Sequence, residues 1–242
     1  MRLEIAAHAK LNLDLQVIGK RADGYHDIRT TMQTIELHDL LAITQGDGGF
    51  TTDGMRIDPT NNSVRKAHEA LQDITHSKLP ATFHLTKRIP PGSGMGGASS
   101  DAAAALKGLR KMFNLDIDLD PIAAAVGSDV PFFLHGGRAR VEGRGERVTP
   151  LPPELAWFAI AWPQIELSTQ AVYKAWDDVN GHDLTQAAQH VEPRLKPFAT
   201  MLGDGWRMTG SGSAFFKQTD TENEARTAIR GLDCWTAVTT TK

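Results

Sequence analysis

The stretch PPGSGMGGASSD, residues 90–101, packs four glycines and one carboxylate ahead of an alanine-rich run. Glycine has no Cβ, so such a turn can aim several backbone N–H groups at one site and let the main chain approach a ligand closely. A helix starting at its end adds the positive end of the helix dipole. The chemistry this suits is anion binding, a nucleoside triphosphate above all. A tight turn packed for structural reasons is the competing reading. Asp101 puts a negative charge in the first turn of the helix, which suits the dipole but repels a triphosphate. It either turns away to pair with a lysine or arginine, or works through Mg²⁺.

Three further sites carry chemistry. Lys10 is a lone lysine between apolar residues in AAHAKLNLD; strand lysines are usually solvated edge residues. Asn12, two residues on, shares its strand face. Asp129 lies in GSDVP, where a tight turn can project a carboxylate or simply use it as a turn or cap residue. Tyr25 can stack on a flat base and His26 can hydrogen-bond its edge, or the tyrosine can cover core as a turn aromatic.

Several alternatives fail. Gly92, Gly94 and Gly97 spell GxGxxG, with Asp116 and Asp118 downstream. The acid of a dinucleotide fold must close a buried parallel strand, however, and NLDIDLD carries three aspartates. No lysine completes a GxxxxGK[ST] loop, and no HRD or DFG is present. The histidines show no HExxH spacing, which argues against a zinc site.

The elements that must position these residues follow from periodicity. LNLDLQV (11–17) alternates as a half-buried strand, RADGYHD turns at Gly24, and 32–43 reads as one or two further strands. Residues 45–54 read as a glycine-rich hairpin or loop, 62–74 as a helix and 81–89 as a strand. After the loop, Ala102, Ala105, Leu106, Leu109 and Met112 recur at helical spacing, with Ser99 or Ser100 as the cap and Lys107, Arg110 and Lys111 in the later turns. A short helix (121–126), a tight turn (127–133) and a hairpin (138–151) follow. PLPPE marks a domain boundary, giving 1–150 and 151–242. Beyond it come a strand (155–162), two or three helices (168–203), a strand pair around MTGSGSAFF, a helix (222–230) and a last strand (234–240). The class is α+β.

The bulk numbers narrow the partners. The 242 residues suffice for one large or two modest domains. A net charge of −3 makes no electrostatic case for nucleic acid. One cysteine, Cys234, excludes an internal disulfide framework and fits a cytoplasmic chain. No apolar run nears the ~20 residues of a membrane helix, and the N-terminus lacks a signal-peptide pattern.

Three segments together resemble the GHMP superfamily of small-molecule kinases: AHAKLNLDL, PPGSGMGGASSDAA and TGSGSAFF. KLNLDLQVIGKRADGYHDIRTTMQTIELHD is similar to the members acting on a cytidine-diphospho sugar alcohol, and GSDVPFFLHGGRARVEGRGE matches them as well. The resemblance implies a two-domain GHMP kinase fold, with a ribosomal-protein-S5-like N-terminal domain that binds ATP and a ferredoxin-like C-terminal domain. It implies Lys10 and Asp129 as the catalytic pair. Pro90, Pro91, Gly92, Ser93, Gly94, Met95, Gly96, Gly97, Ala98, Ser99 and Ser100 would form the ATP phosphate loop, with Asn62 and Lys87 beside the adenine. Asn12, Tyr25, His26, Gly210, Ser211 and Gly212 would lie on the substrate side, Tyr25 and His26 at the cytosine. The implied cofactors are ATP and Mg²⁺, with Ser99 or Ser100 as metal contacts and no dedicated protein metal site; the chain would be a monomer or homodimer. The segment after Tyr173, including His182 and Asp183, departs from the family pattern and lacks a clear second aromatic for the cytosine; Tyr173 and Trp176 are the nearby candidates. Another small-alcohol kinase of the same fold, for homoserine or mevalonate, is the nearest rival. A non-catalytic nucleotide- or RNA-binding domain is the rival from another class.

Overall fold

A computed structural model describes residues 1–46, 48–58, 62–179 and 183–242. The chain forms two compact units built from interleaved segments. One comprises Met1–Ala9, Leu37–Pro91 and Gly96–Gly136; the other comprises Lys10–Glu36, Gly92–Met95 and Gly137–Lys242. Two long strands, β1 (Arg2–Lys20) and β2 (His26–Gln45), pair with each other and contribute residues to both. The span 32–43 is thus part of one continuous strand.

In the first unit, β4 (Ala81–Lys87) pairs antiparallel with β2, Leu40 opposite Thr86. On its other side β3 (Gly49–Gly54) pairs parallel with β4. A strand therefore occupies most of the span expected to be hairpin or loop; Asp47 lies outside the described residues. Four helices pack on one another in this unit, α1 (Ser63–Thr75), α2 (Gly97–Met112), α3 (Asp120–Val126) and α4 (Val130–His135), with Gly108 of α2 set against Ile5 and Ile43 of β1 and β2 and His68 of α1 against Phe83 of β4. Helix α1 buries Val64, Ala67 and Leu71, one stripe at helical spacing. Helix α2 is buried over most of its circumference, which its alanines permit because small side chains let neighbours approach on every side. Arg110 and Lys111 close its last turn, as the dipole favours.

Two expectations fail here for clear reasons. Helix α2 is not capped by Ser99 or Ser100. It starts at Gly97 behind Gly96, whose φ of 73° and ψ of 18° are left-handed, and no side chain caps it. A side-chain cap needs an extended backbone at that position, and glycine takes the conformation that serines resist. Residues 127–133 are not a plain turn, since α4 begins at Val130 with Pro131 in its first turn, where proline's fixed φ suits a helix start.

In the second unit, β5 (Arg138–Gly143) pairs antiparallel with Ile28–Gln33 of β2 and with β6 (Arg147–Pro150). After the proline-rich stretch, β7 (Trp157–Trp162), β8 (Arg207–Met208), β9 (Phe215–Thr219) and β10 (Trp235–Thr240) form an antiparallel sheet in the order β10-β7-β9-β8. Helices α5 (Thr169–Val179), α6 (Leu184–Val191), α7 (Leu195–Leu202) and α8 (Glu222–Ala228) complete it. Val17, Ile28, Val172, Leu184, Leu195 and Phe215 share one core, so α5, α6 and α7 are anchored to β1, β2 and β9. The mixture of sheets and helices is α+β, as expected.

Candidate functional site

In the second unit, Lys10 and Asn12 project from the same face of β1 and both are about 3% exposed. Lys10 Nζ donates to the backbone oxygen of Gly94 (2.7 Å) and to Asn12 Oδ1. Asn12 Nδ2 donates to Thr30 Oγ1 (2.9 Å), and Thr209 Oγ1 accepts from the Asn12 backbone N–H (3.0 Å). The carboxamide is engaged at both ends. Its visible work is to orient Lys10, a task the sequence did not suggest.

Gly92–Met95 is stitched to the turn at residues 209–214. The oxygens of Gly92 and Ser93 accept from Ser213 and Ala214 N–H (3.3 and 3.0 Å), and Met95 accepts from the Lys10 N–H (3.0 Å). Gly94 has φ +79°, and a Cβ there would meet the Thr209 oxygen and the Gly212 backbone. The first glycines of the stretch are therefore needed for close packing around Lys10, part of the structural alternative considered above. A Cβ on Gly210 would likewise meet the Gly94 oxygen (2.8 Å) and Lys10 Nζ (3.1 Å). Ser211, mostly buried, shares a hydroxyl hydrogen bond with Thr169 (2.9 Å).

The helix start expected from the sequence to take an anion lies in the first unit, at Gly97 of α2. The first bond closing this helix runs from Ser100 N–H to the Gly96 oxygen (2.9 Å). The N–H groups of Gly97, Ala98 and Ser99 thus have no partner within the helix, and no side chain caps them. Ala98 is exposed, Ser99 is half-buried and Ser100 is buried, leaving Ser99 as the accessible hydroxyl. Pro90 is buried and Pro91 half-buried at the end of the preceding segment.

Beneath this opening lies a buried ion triad. Lys87 Nζ pairs with Asp39 and, at 2.9 Å, with Asp101. All three are under 5% exposed. Asp39 Oδ1 also accepts from the Arg88 and Ile89 N–H groups (2.5 and 2.8 Å). Asp101 therefore turns away from the helix opening and pairs with a lysine, the first of its two options. Burial, with Asp39 adding to it against the pull of Lys87, pushes the Asp101 carboxyl up to about 7. A Cβ on Gly97 would come within 2.7 Å of Lys87 Nζ, so that glycine lets the lysine reach in below the helix start. Lys87 is committed to these carboxylates rather than offered toward a base. Asn62 is the N-cap of α1, accepting from Val64 N–H at 2.7 Å. Asp129 precedes α4, is half-buried and makes no capping bond to it.

The proposed base-side residues gather in the second unit. Tyr25 is 51% exposed, with the Arg144 guanidinium over one ring face at 4.7 Å. His26 is buried and its Nε2 lies 2.7 Å from Asp177 Oδ1 on α5. Its ring packs against Tyr173 and Trp176, with centroids at 5.1 and 5.4 Å. Both aromatic candidates thus stand beside His26, whereas His182 lies outside the described residues. Sequence reading missed Asp39 and Asp177. Asp39 had a signal, an acid inside the apolar strand LHDLLAI; Asp177, half-buried on α5, had none.

Residues 62–137 match the GHMP kinases N terminal domain. A 4-diphosphocytidyl-2-C-methyl-D-erythritol kinase of Thermotoga petrophila is 44% identical in an alignment that covers 88% of this chain and 90% of that protein. A kinase of the same description from Exiguobacterium sibiricum is 34% identical, over 96% of this chain and 94% of its own. Among solved structures, a 4-(cytidine 5'-diphospho)-2C-methyl-D-erythritol kinase superposes over 99% of both chains, with a TM-score of 0.84 and 31% identity.

Proposed function

The chain belongs to the 4-diphosphocytidyl-2-C-methyl-D-erythritol kinase family of the GHMP kinases, and from that premise we propose how its residues carry the reaction. The enzyme is a small-molecule kinase of isoprenoid precursor biosynthesis by the non-mevalonate route. It transfers a phosphoryl group from ATP to the 2-hydroxyl of 4-(cytidine 5'-diphospho)-2-C-methyl-D-erythritol.

The observation that carries the site reading is the uncapped start of α2, with three backbone N–H groups outside the helical ladder. ATP phosphates are the anion this opening suits. Phosphoryl transfer runs through a loose transition state, so positioning and charge stabilisation supply most of the catalysis. Lys10, held by Gly94 and Asn12, offsets charge that develops on the transferred group. Asp129 accepts the proton of the attacking hydroxyl. A carboxylate is a weak base toward an alcohol, but the alcohol turns acidic as the new O–P bond forms. Mg²⁺, when bound with ATP, would neutralise phosphate charge. The residues fit such an ion through the Ser99 hydroxyl, while Asp101 is occupied by Lys87. Tyr25 and His26 take the cytosine. The single cysteine supports a reducing, cytoplasmic setting.

ADP release, measured with MgATP and the cytidine substrate, homoserine or mevalonate in parallel, tests the reading. Turnover with the cytidine substrate alone is expected. Turnover with homoserine or mevalonate and none with the cytidine substrate would overturn it.

A further inference from the structure

His26 sits in a frame that decides what its ring can do. The Nε2 atom is 2.7 Å from Asp177 Oδ1, and Lys20 Nζ is 2.5 Å from Oδ2 of the same carboxylate. An ionised carboxylate can only accept, so the ring proton is on Nε2. In a neutral imidazole the other nitrogen is then a lone-pair acceptor. The ammonium of Lys20 offsets the carboxylate charge, which leaves Asp177 acting chiefly as an oriented acceptor. Tyr173 at 31° and Trp176 at 83° to the imidazole restrict rotation of its plane. The same helix holds a buried donor at Trp176 Nε1, with no hydrogen-bond partner among the described residues. A buried donor left unmatched is costly, and a pyrimidine carbonyl is one group that could accept from it.

We propose that Asp177 is a positioning residue for base selection: it fixes the His26 tautomer whose Nδ1 accepts from the 4-amino group of cytosine. Uracil presents a carbonyl oxygen at that position, so acceptor would face acceptor and the uridine analogue is rejected. The inference rests on the reading that His26 faces the base. It goes beyond that reading by assigning the choice of base to a residue on α5 that need not touch the substrate. The carboxylate lies under the pull of Lys20 and His26, which hold it below the usual aspartate range and keep it ionised.

Asp177→Asn is the test, in the full chain with cytidine- and uridine-diphospho methylerythritol as paired substrates. The Asp177 side chain is 24% exposed, so the isosteric amide disturbs little packing. Asparagine can meet Nε2 with either its oxygen or its amide, which frees the tautomer. KM for the cytidine substrate should rise ~10-fold and kcat change less than about twofold, with the cytidine-over-uridine ratio of kcat/KM falling ~10-fold or more. Long-range ¹H–¹⁵N spectra of the His26 ring should pass from one Nε2–H form to a mixture. Asp177→Glu, which keeps a carboxylate, should retain most of the base preference. An unchanged ratio alongside a mixed tautomer would overturn the inference, as would an unchanged tautomer. Both results leave the kinase reading standing; that reading fails separately if the wild-type chain does not phosphorylate the cytidine substrate.

Discussion

Each unit buries one lysine beside the glycine-rich stretch, and the two are held in different ways. Lys87 has two carboxylates against its ammonium, all three groups sealed from solvent. Lys10 is held by a backbone carbonyl and a carboxamide. In the first case the charges compensate one another within the fold, which makes the group a brace under the start of α2. In the second a backbone carbonyl and a carboxamide orient the ammonium, as the proposed role toward phosphate asks. Two strand lysines, one beside Gly97 and one beside Gly94, thus separate into a brace and a group proposed for chemistry.

Replacing each lysine by methionine breaks this comparison most directly. Lys87→Met leaves two buried aspartates facing each other and should destabilise the fold by about 3–5 kcal/mol, read by urea denaturation. Lys10→Met, which leaves the Lys87 triad intact, should cost less in the same measurement, while its turnover falls about 10²–10³-fold. Equal stability losses for the two variants, with equal activity losses, would erase the distinction.

The pH dependence of stability sharpens it. The folded Asp101 carboxyl, at about 7, lies above the ~3.9 of an unfolded aspartate. Between those values the folded chain holds the extra proton, so its stability falls as pH rises from about 4 to about 7 and stays lowered above. The drop from this group is on the order of a few kcal/mol. Asp101→Asn should flatten that slope in urea midpoints taken across the window. A slope as steep as in the wild type would show that the triad does not set it.

The smallest expected effect concerns the exposed base-side ring. Tyr25→Ala should raise KM for the cytidine substrate about 10-fold, the worth of one stacked base, with little change in stability because the ring is half outside. An unchanged KM would mean that the base is held elsewhere.

Much of the frame was legible in the sequence. The alternation of 11–17 marked β1, the helical stripe from Ala102 to Met112 marked α2, and the shared face of Lys10 and Asn12 followed from strand geometry alone. What escaped depended on partners distant in the chain. Asp39 and Lys87 are 48 residues apart and meet only across the β2–β4 pair. Asp177 reaches His26 over 151 residues. The start of α2 was misjudged because serine is the better cap in general, whereas here the backbone enters in a left-handed turn that glycine accepts. Residues 45–54 read as hairpin or loop because glycines and threonines carry little apolar pattern, yet β4 offers Gly49–Gly54 an edge to pair along.

The account turns on the proposal that Asp129 is the proton acceptor. Single-turnover phosphorylation of the cytidine substrate by Asp129→Asn, with ATP binding measured on the same sample, tests that claim most directly. The predicted result is a rate about 10²–10⁴-fold lower with nearly intact ATP affinity. A near-normal rate would contradict the account and remove Asp129 from the chemistry.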